Sequence, residues 1–406
     1  MISYKYIAKD SKSGQKISAE VQADSEQAAA KAIRERGYAP LEIKLSDTSG
    51  DGLFGRFKNH IKTKDKILFS RQLSTLINAG LPIVQSLRNV SDQTTSKPLR
   101  SVISEVISSV EAGEAFSVAL AKHPKVFNQV FISLVAAGET SGTLDAALER
   151  IANQQEKDAE ILSKVRGAMI YPLIVILVMV AVVGFMIVKV LPQVETLYEG
   201  LPDATLPVLT TILLMLSRFI IKYWIFVIIG LGAITFFTTR WASTLGGKRY
   251  VDRFKMHAWP IGPLFMKMYM ARFARTGATL VASGVPLIQM LQITGNAISN
   301  IHVEESLTKA VEKVKGGKSL SESLRGDSNF LSLVPNMIQI GEQSGSLEEM
   351  LAKVADYYEK EVDQQIKTIS TIIEPVLMVL LGVFAFIIVA AVLLPIYGLA
   401  GKTIIK

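Results

Sequence analysis

The sequence predicts a mainly α-helical, polytopic membrane protein with a repeated helical domain and a small N-terminal α+β module. Three observations predict this fold class: three long apolar segments, one stretch of about 120 residues that occurs twice, and alternating patterns confined to the first 45 residues. The hydrophobic fraction of 49% is high for a soluble protein. The chain of 406 residues has no cysteine, which excludes disulfides, thiolate zinc sites and cysteine nucleophiles.

The N-terminal residues 1–45 differ from the rest of the chain. Apolar and polar residues alternate in three short runs, and the segment from Ser25 to Arg36 has a helical pattern that ends at Gly37. We therefore predict a small β-β-α-β module. Because the chain starts with no apolar run, we expect no cleaved signal peptide and a cytoplasmic N-terminus.

Residues 46–64 connect this module to the following domain. The sequence SDTSGDG is typical of a linker. Beyond it, four apolar residues share one helical face and four basic residues lie on others, namely Leu53, Phe54, Phe57 and Ile61 against Arg56, Lys58, Lys62 and Lys64. This pattern predicts either a basic amphipathic helix on anionic lipid or a short helix packed on its own bundle.

Three segments have the length and composition of membrane spans. They cover residues 167–190, 218–239 and 372–396, and the centres of the first and third carry no charge. About 20 apolar residues suffice to cross the hydrocarbon core of a bilayer. Pro172 and Pro375 fall in the first turns of the outer two spans, where each removes a backbone hydrogen bond and predicts a kink.

The distribution of Lys and Arg predicts the orientation of these spans. Residues 191–217 contain acidic residues but no Lys or Arg, whereas many basic residues follow the second span. Positively charged flanks stay on the cytoplasmic side. We therefore expect the loop 191–217 and the tail 397–406 to be periplasmic, and residues 65–166 and 240–371 to be cytoplasmic.

The two cytoplasmic regions are copies of one another. A Gly-Glu-x-Ser-Gly-x-Leu motif occurs in each, about thirty residues ahead of an apolar span, and a Gly-x-Pro motif precedes it. The paired positions are Gly80 and Gly284, Pro82 and Pro286, Gly138 and Gly341, Glu139 and Glu342, Ser141 and Ser344, Gly142 and Gly345, and Leu144 and Leu347. The duplication predicts two similar helical bundles, each followed by a membrane helix.

Most of the motif has a structural interpretation. In each Gly-x-Pro, the glycine predicts a helix end and the proline fits the first turn of the next helix. Gly138 and Gly341 allow a tight turn or a close backbone approach. The candidate N-caps of the helix that follows are Ser141, Thr143, Ser344 and Ser346. Ser346 and Glu349 also fit a capping box.

Glu139 and Glu342 are not needed for such a cap. Each could bind a backbone N–H group, a cation or a basic partner surface. We predict no catalytic site, because the four histidines are scattered and Gly317-Lys318-Ser319 lacks the earlier glycine and the strand of a phosphate loop.

Glu374 stands beside Pro375 at the inner edge of an otherwise uncharged span. A carboxylate near hydrocarbon is costly. It is therefore either solvated at headgroup depth or paired with a basic residue of a neighbouring span or partner subunit.

The duplicated domain with its Ala-Gly-Leu-Pro and Gly-Glu-x-Ser-Gly-x-Leu motifs, the Tyr-Pro and Glu-Pro openings of the first and third spans, and the β-rich N-terminal part resemble the type II secretion system F family. These are inner-membrane platform proteins of type II secretion and type IV pilus machines. The resemblance covers nearly the whole chain. It implies six-helix cytoplasmic bundles, three membrane helices and a homo-oligomer.

The same resemblance implies a function without enzymatic activity. A platform of this family couples a cytoplasmic hexameric ATPase to the insertion and extraction of pilin or pseudopilin subunits, beside other inner-membrane platform components. It also implies, as an option, a divalent cation such as calcium near Glu139 or Glu342; we expect no other cofactor and no nucleic acid. Two alternatives stay open. A small transporter or channel would need polar groups at mid-bilayer depth or paired broken helices, and a passive scaffold would move nothing.

Overall fold

The computed structural model describes the greater part of the chain, namely residues 2–10, 16–23, 30, 33, 38–45, 61–193, 196 and 207–403. The chain divides into two compact units, Met1–Lys62 and Thr63–Lys406. The first unit contains a small sheet and the second contains the two repeats.

The N-terminal unit contains a three-stranded antiparallel sheet. Its strands are β1 (Ile2–Asp10), β2 (Lys16–Ala23) and β3 (Tyr38–Leu45), in the order β2-β1-β3. The β1–β3 register shifts between Ile7 and Ala8, which marks an irregularity of the β-bulge type. The strands lie where the sequence alternates between apolar and polar residues.

Other parts of the predicted N-terminal module cannot be compared in the same way. The predicted helix between Ser25 and Arg36 lies mostly outside the described residues, as does most of the segment 46–64. The complete β-β-α-β module and the basic amphipathic helix therefore stay predictions.

The first repeat consists of six successive helices. They are α1 (Thr63–Asn78), α2 (Ile83–Gln93), α3 (Lys97–Glu111), α4 (Phe116–Ala121), α5 (Gln129–Ser141) and α6 (Leu144–Phe185). Between α1 and α2, Gly80 has a left-handed φ of 83°, which ends α1 as predicted. Pro82 is the residue just before α2 rather than a member of its first turn, so its fixed φ directs the chain into the helix from outside.

The second repeat has the same order of helices. They are α9 (Gly262–Ala282), α10 (Leu287–Ile298), α11 (Ile301–Lys315), α12 (Leu320–Leu324), α13 (Leu333–Ser344) and α14 (Leu347–Thr403). Gly284 and Pro286 take the same conformations as Gly80 and Pro82, with a φ of 78° at the glycine. The sequence duplication is therefore a structural duplication in the described residues.

The cores of the two repeats use equivalent aromatic pairs. Phe69 and Phe127 are buried with ring centroids 5.7 Å apart, and Phe273 and Phe330 are buried with centroids 5.3 Å apart. In each repeat the pair joins the first helix to the loop before the fifth helix. Such tilted ring pairs add to the stabilisation that burial of apolar area supplies.

Two further helices lie between the repeats. They are α7 (Val208–Ala242) and α8 (Leu245–His257). The helix α7 begins at Val208, before the predicted start of the second span, so part of the predicted loop 191–217 is helical. This earlier start has a local reason, since the apolar stretch after Pro207 has no helix breaker.

The last helix of each repeat continues into an apolar segment. The helix α6 runs through Pro172 to Phe185 and carries on as a π-helical turn over Met186–Val190, while α14 runs through Pro375. Helical structure therefore continues from Leu144 to Val190, apart from the change of hydrogen-bond pattern in the π turn. Three described helices, α6, α7 and α14, are long and apolar enough to cross a membrane.

Candidate functional site

In the first repeat, the glutamate of the Gly-Glu motif caps a neighbouring short helix. The Oε1 atom of Glu139 accepts a hydrogen bond from the backbone N–H of Phe116 at 2.5 Å, and Oε2 accepts one from Ser117 at 2.9 Å. Both donors lie in the first turn of α4, where backbone N–H groups have no partner within the helix. A carboxylate there also faces the positive end of the helix dipole.

In the second repeat, Glu342 makes the same contacts. Its Oε1 accepts from the N–H of Leu320 at 2.6 Å, and its Oε2 accepts from the N–H and the hydroxyl of Ser321 at 3.3 and 2.5 Å. Both donors open α12, the counterpart of α4. Of the three roles open for these glutamates, the structure therefore assigns the binding of backbone N–H groups.

The first glycine of each motif allows two helices to cross closely. A Cβ atom on Gly138 would lie 2.7 Å from Cβ of Ala147, and one on Gly341 would lie 2.9 Å from Cα of Leu347. Real Cβ atoms do not approach other atoms so closely. The predicted close backbone approach is confirmed, and it places the motif glutamates beside the short helices.

The second glycine of each motif makes the turn into the long helix. Gly142 and Gly345 have φ values of 73° and 70°, in the left-handed region that favours glycine. Leu144 and Leu347 are then the first residues of α6 and α14. The fifth helix of each repeat therefore reverses tightly into the helix that reaches the apolar segment.

The predicted N-caps in the motif are wrong. Ser141 and Ser344 are the last residues of the preceding helices, and their hydroxyl groups donate to Ala137 O and Ile340 O at 2.7 Å. These serines belong to the ending helices and lie three residues before α6 and α14 begin, so they are not at the N-cap position of the next helix.

The two residues just before the long helices do not cap them with their side chains either. Thr143 precedes α6 without a side-chain cap hydrogen bond, and its hydroxyl pairs with that of Ser141. The Ser346 hydroxyl pairs with that of Ser344 at 2.6 Å. No capping-box hydrogen bond joins Ser346 to Glu349, although the structure describes both, and Glu349 instead pairs with Lys353 at 2.7 Å.

A repeated arginine clamp was not predicted from the sequence. Arg71 on α1 binds Glu156 on α6, with Nε 2.7 Å from Oε1. Its counterpart Arg275 on α9 binds Glu359 on α14 with Nε 2.8 Å from Oε1, and also binds Asp356. Each clamp fixes the first helix of a repeat to its last helix. The repeat spacing could have revealed it, since the arginine recurs at the offset of Gly80 and Gly284 and the glutamate recurs at the offset of the Gly-Glu motif.

The long helix of the first repeat lies directly against the second repeat. Arg150 Nη1 donates to the carbonyl of Ala282 at 2.8 Å, and Lys164 Nζ lies 2.7 Å from Oδ2 of Asp363. An apolar cluster continues the contact toward the membrane segments, formed by Ile161, Val165, Ala168, Leu264, Val362, Ile366 and Ile369. The two repeats therefore form one continuous packed unit.

A cleft of about 350 Å³ opens where the two repeats meet. Its lining includes Lys66, Asp158 and Arg272. Burial raises the pKa of the Asp158 carboxyl above its ordinary value, and the charge of Arg272 partly offsets this rise. Among the described residues no group of three acidic or histidine side chains has the arrangement of a metal site. The carboxylates of Glu139 and Glu342 are already bound to helix N-termini.

Polar contacts also join the apolar helices. Ser217 Oγ on α7 donates to the carbonyl of Ile187 at 2.5 Å, within the π turn that follows α6. Thr210 Oγ1, also on α7, donates to the carbonyl of Ala391 on α14 at 3.1 Å. Each hydroxyl finds a backbone acceptor in an apolar environment, where an unpaired polar group would be costly.

The three candidate residues of the outer spans have different surroundings. Pro172 is buried in α6, whereas Glu374 and Pro375 are exposed on α14. The Glu374 carboxylate makes no hydrogen bond or ion pair with any residue that the structure describes. A charge partner for Glu374 is therefore not among the residues that the structure describes.

The arrangement defines a class of integral membrane protein: two packed helical repeats, each of which passes its last helix into an apolar segment. A family model for the type II secretion system protein F matches residues 69–192 and 273–395, and a model for the N-terminal domain of that protein matches residues 1–44. The two matches of the first model coincide with the two repeats. The chain belongs to the type II secretion system protein F family.

Curated proteins of type IV pilus assembly and of type II secretion are similar to this chain over nearly its full length. The type IV pilus assembly protein PilC of Thermus thermophilus is 37% identical over 98% of each chain. PilC of Pseudomonas aeruginosa is 36% identical over 90% of this chain and 97% of its own. The type II secretion system protein F of Pseudomonas aeruginosa is 33% identical over 98% of this chain and 99% of its own.

Proposed function

We propose that the protein is the inner-membrane assembly platform of a type II secretion or type IV pilus machine. Family membership and the names of its relatives, which belong to both kinds of machine, support this role. The observation that carries the mechanism is the unbroken helix that leads from each Gly-Glu motif into an apolar segment.

This helix provides a physical route for mechanical coupling. At 1.5 Å per residue, the 42 residues of α6 extend over about 63 Å and the 57 residues of α14 over about 85 Å. Either length exceeds the roughly 30 Å hydrocarbon core of a bilayer. In our proposal, a displacement of the packed repeats therefore moves the membrane segments with little loss to bending.

The proposal includes the orientation and partners that the sequence predicts. The regions 65–166 and 240–371 are two cytoplasmic six-helix bundles, and the loop 191–217 and the tail 397–406 are periplasmic. The bundles contact a hexameric assembly ATPase, and the membrane helices contact pilin or pseudopilin subunits and other platform components. The platform itself forms a homo-oligomer and has no catalytic activity.

Affinity purification of the full-length protein from gently solubilised membranes tests this function. We expect an assembly ATPase and pilin-like proteins to co-purify, and we expect the purified platform to raise the turnover of that ATPase. The matched control is a platform variant in which the bundle core is disrupted by Phe273→Asp. Purification of intact, folded platform with neither partner, and with no effect on ATPase turnover at micromolar concentration, would contradict the proposal.

The transporter and scaffold alternatives give different results in the same system. A transporter would change the permeability of vesicles that contain only this protein. A passive scaffold would bind the partners but leave ATPase turnover unchanged. The hydroxyl groups of Thr210 and Ser217 each serve a backbone carbonyl, so they offer no free polar group for a solute pathway.

A further inference from the structure

The helix α8 (Leu245–His257) exposes an aromatic stripe immediately after the membrane helix α7. Tyr250 and Phe254 are one helical turn apart and are 64% and 61% exposed, and Trp259 just beyond the helix is 78% exposed. Large aromatic side chains in such a cluster are uncommon on a surface that faces only water.

The opposite face of α8 is docked on the second repeat. Oδ2 of Asp252 accepts from the N–H of Ile301 at 3.2 Å, and Sδ of Met256 accepts from the side-chain amide of Asn300 at 3.4 Å. Both acceptors lie on the buried face of α8. The helix is therefore fixed in orientation, and its aromatic stripe is held outward.

The position of α8 along the membrane normal follows from α7. Residues 223–239 carry no charge and extend over about 26 Å, close to the thickness of the hydrocarbon core. Arg240 and Trp241 at the end of this stretch therefore lie at a membrane–water interface. The helix α8 starts at Leu245, only a short turn later.

A close backbone contact at Gly247 holds the first turn of α8 against the end of α7. A Cβ atom on Gly247 would lie 1.9 Å from the carbonyl oxygen of Trp241, so only glycine permits the first turn of α8 to pack on the end of α7. The ring centroids of Trp241 and Tyr250 then lie 5.8 Å apart. Tyr250 is thus placed beside a tryptophan at the interface.

The charge of α8 suits an anionic surface. Arg253 lies three residues after Tyr250, on the adjoining face, and is exposed. Arg253 forms no salt bridge with a described residue, whereas Arg249 on the same exposed side pairs with Glu305. Long basic side chains can bury their stems and keep their charged ends at headgroup depth.

We propose that α8, with the flanking Trp241 and Trp259, is an interfacial helix that binds the headgroups of anionic phospholipids. The aromatic stripe enters the headgroup region, and Arg253 binds lipid phosphate. This inference does not depend on the proposed function, since it requires only that α7 crosses a membrane. It assigns the linker between the two repeats a role in fixing the depth and tilt of the second repeat at the bilayer surface.

Tryptophan quenching by brominated lipids tests the proposal on the full-length protein. The chain has three tryptophans, so Trp224→Phe combined with Trp241→Phe leaves Trp259 as the reporter. The protein is reconstituted in phosphatidylcholine vesicles that contain either brominated phosphatidylglycerol or brominated phosphatidylcholine. We expect both lipids to quench Trp259, and phosphatidylglycerol to do so at a severalfold lower mole fraction.

Charge variants and a matched reporter separate lipid binding from other contacts. Arg253→Gln should lower the preference for phosphatidylglycerol roughly fivefold while quenching by phosphatidylcholine persists, whereas Lys248→Gln, a charge change on the docked face, should leave the preference unchanged. As a negative control, Ile340→Trp in a background without the other tryptophans places the reporter on α13, where we expect no lipid quenching.

Three outcomes would overturn the proposal. The first is a Trp259 signal that no brominated lipid quenches, with free access to aqueous iodide, because the stripe then faces water. The second is equal quenching by both lipids in the parent protein. The third is a Trp259 signal that no brominated lipid quenches, together with a short distance between spin labels attached at Phe254→Cys in two molecules. That result would assign the aromatic stripe to contact with a second copy of the protein.

Discussion

At the scale of single residues, Glu139 and Glu342 stabilise helices that start more than twenty positions earlier in the chain. Each carboxylate satisfies two backbone N–H groups at the start of a short helix. The helices α4 and α12 have only six and five residues and therefore few hydrogen bonds of their own. Isolated helices of this length are unstable in water. Their position in each repeat therefore depends on a side chain of the fifth helix.

We predict that Glu342→Ala destabilises the start of α12 by about 2 kcal/mol and Glu342→Gln by about 1 kcal/mol. Alanine leaves both N–H groups without an acceptor, whereas glutamine keeps one neutral acceptor oxygen. Hydrogen exchange of the Leu320 and Ser321 amides measures the effect. Glu348→Gln, an exposed change on α14, is the control and should leave these amides protected; equal protection in Glu342→Ala would refute the cap.

At the scale of helices, the crossing of α13 and α14 depends on Gly341. We predict that Gly341→Ala destabilises the second repeat by about 1–3 kcal/mol, because the new Cβ atom would meet the backbone of Leu347 and force the helices apart. The thermal midpoint of the detergent-solubilised protein measures this. Gly167→Ala in α6, where a Cβ atom would meet nothing within 4 Å, should leave stability unchanged or slightly raised.

Glu374 belongs to the same scale, since it places a carboxylate on the surface of an apolar helix. It has no charge partner among the described residues. We predict that Glu374→Gln retains folding and membrane insertion but reduces fibre assembly severalfold, because a contact with a basic group of a partner subunit is lost. Glu374→Asp should be milder, since it keeps the charge.

Counts of assembled fibres, or of secreted substrate, at matched levels of platform protein measure the effect of Glu374→Gln. Thr371→Ala, an exposed change one turn earlier on the same helix, serves as the control. Full assembly in the Gln variant would mean that Glu374 is solvated at headgroup depth and does not bind a partner subunit.

At the scale of the whole molecule, the orientation follows from the distribution of charge. The chain has no cysteine, so single cysteines can be introduced freely. A thiol reagent that does not cross the inner membrane should label a cysteine at Asp203 or Gly401 from outside, but not one at Asp47 or Gly316. Labelling in broken cells shows that each cysteine is reactive, and outside labelling at Gly316 would exclude a cytoplasmic second repeat.

The sequence by itself determined the repeated organisation, the apolar segments and the helix ends at Gly80 and Gly284. Hydropathy over about 20 residues reports a property of the segment alone, and Gly80 or Gly284 ends a helix through its own backbone freedom. Because the domain is duplicated, each of these sequence patterns occurs twice. These features are local, so no knowledge of the packing was needed to predict them.

Only the tertiary structure decided what the motif side chains bind. The partners of Glu139 lie on α4, and the partner of Arg71 lies on α6, so both contacts depend on the angles at which helices cross. The same applies to Gly247, whose need for glycine arises from the carbonyl of Trp241 in another helix. The wrong N-caps have the same cause, since a short polar side chain beside a helix boundary can serve either helix, and packing selects which.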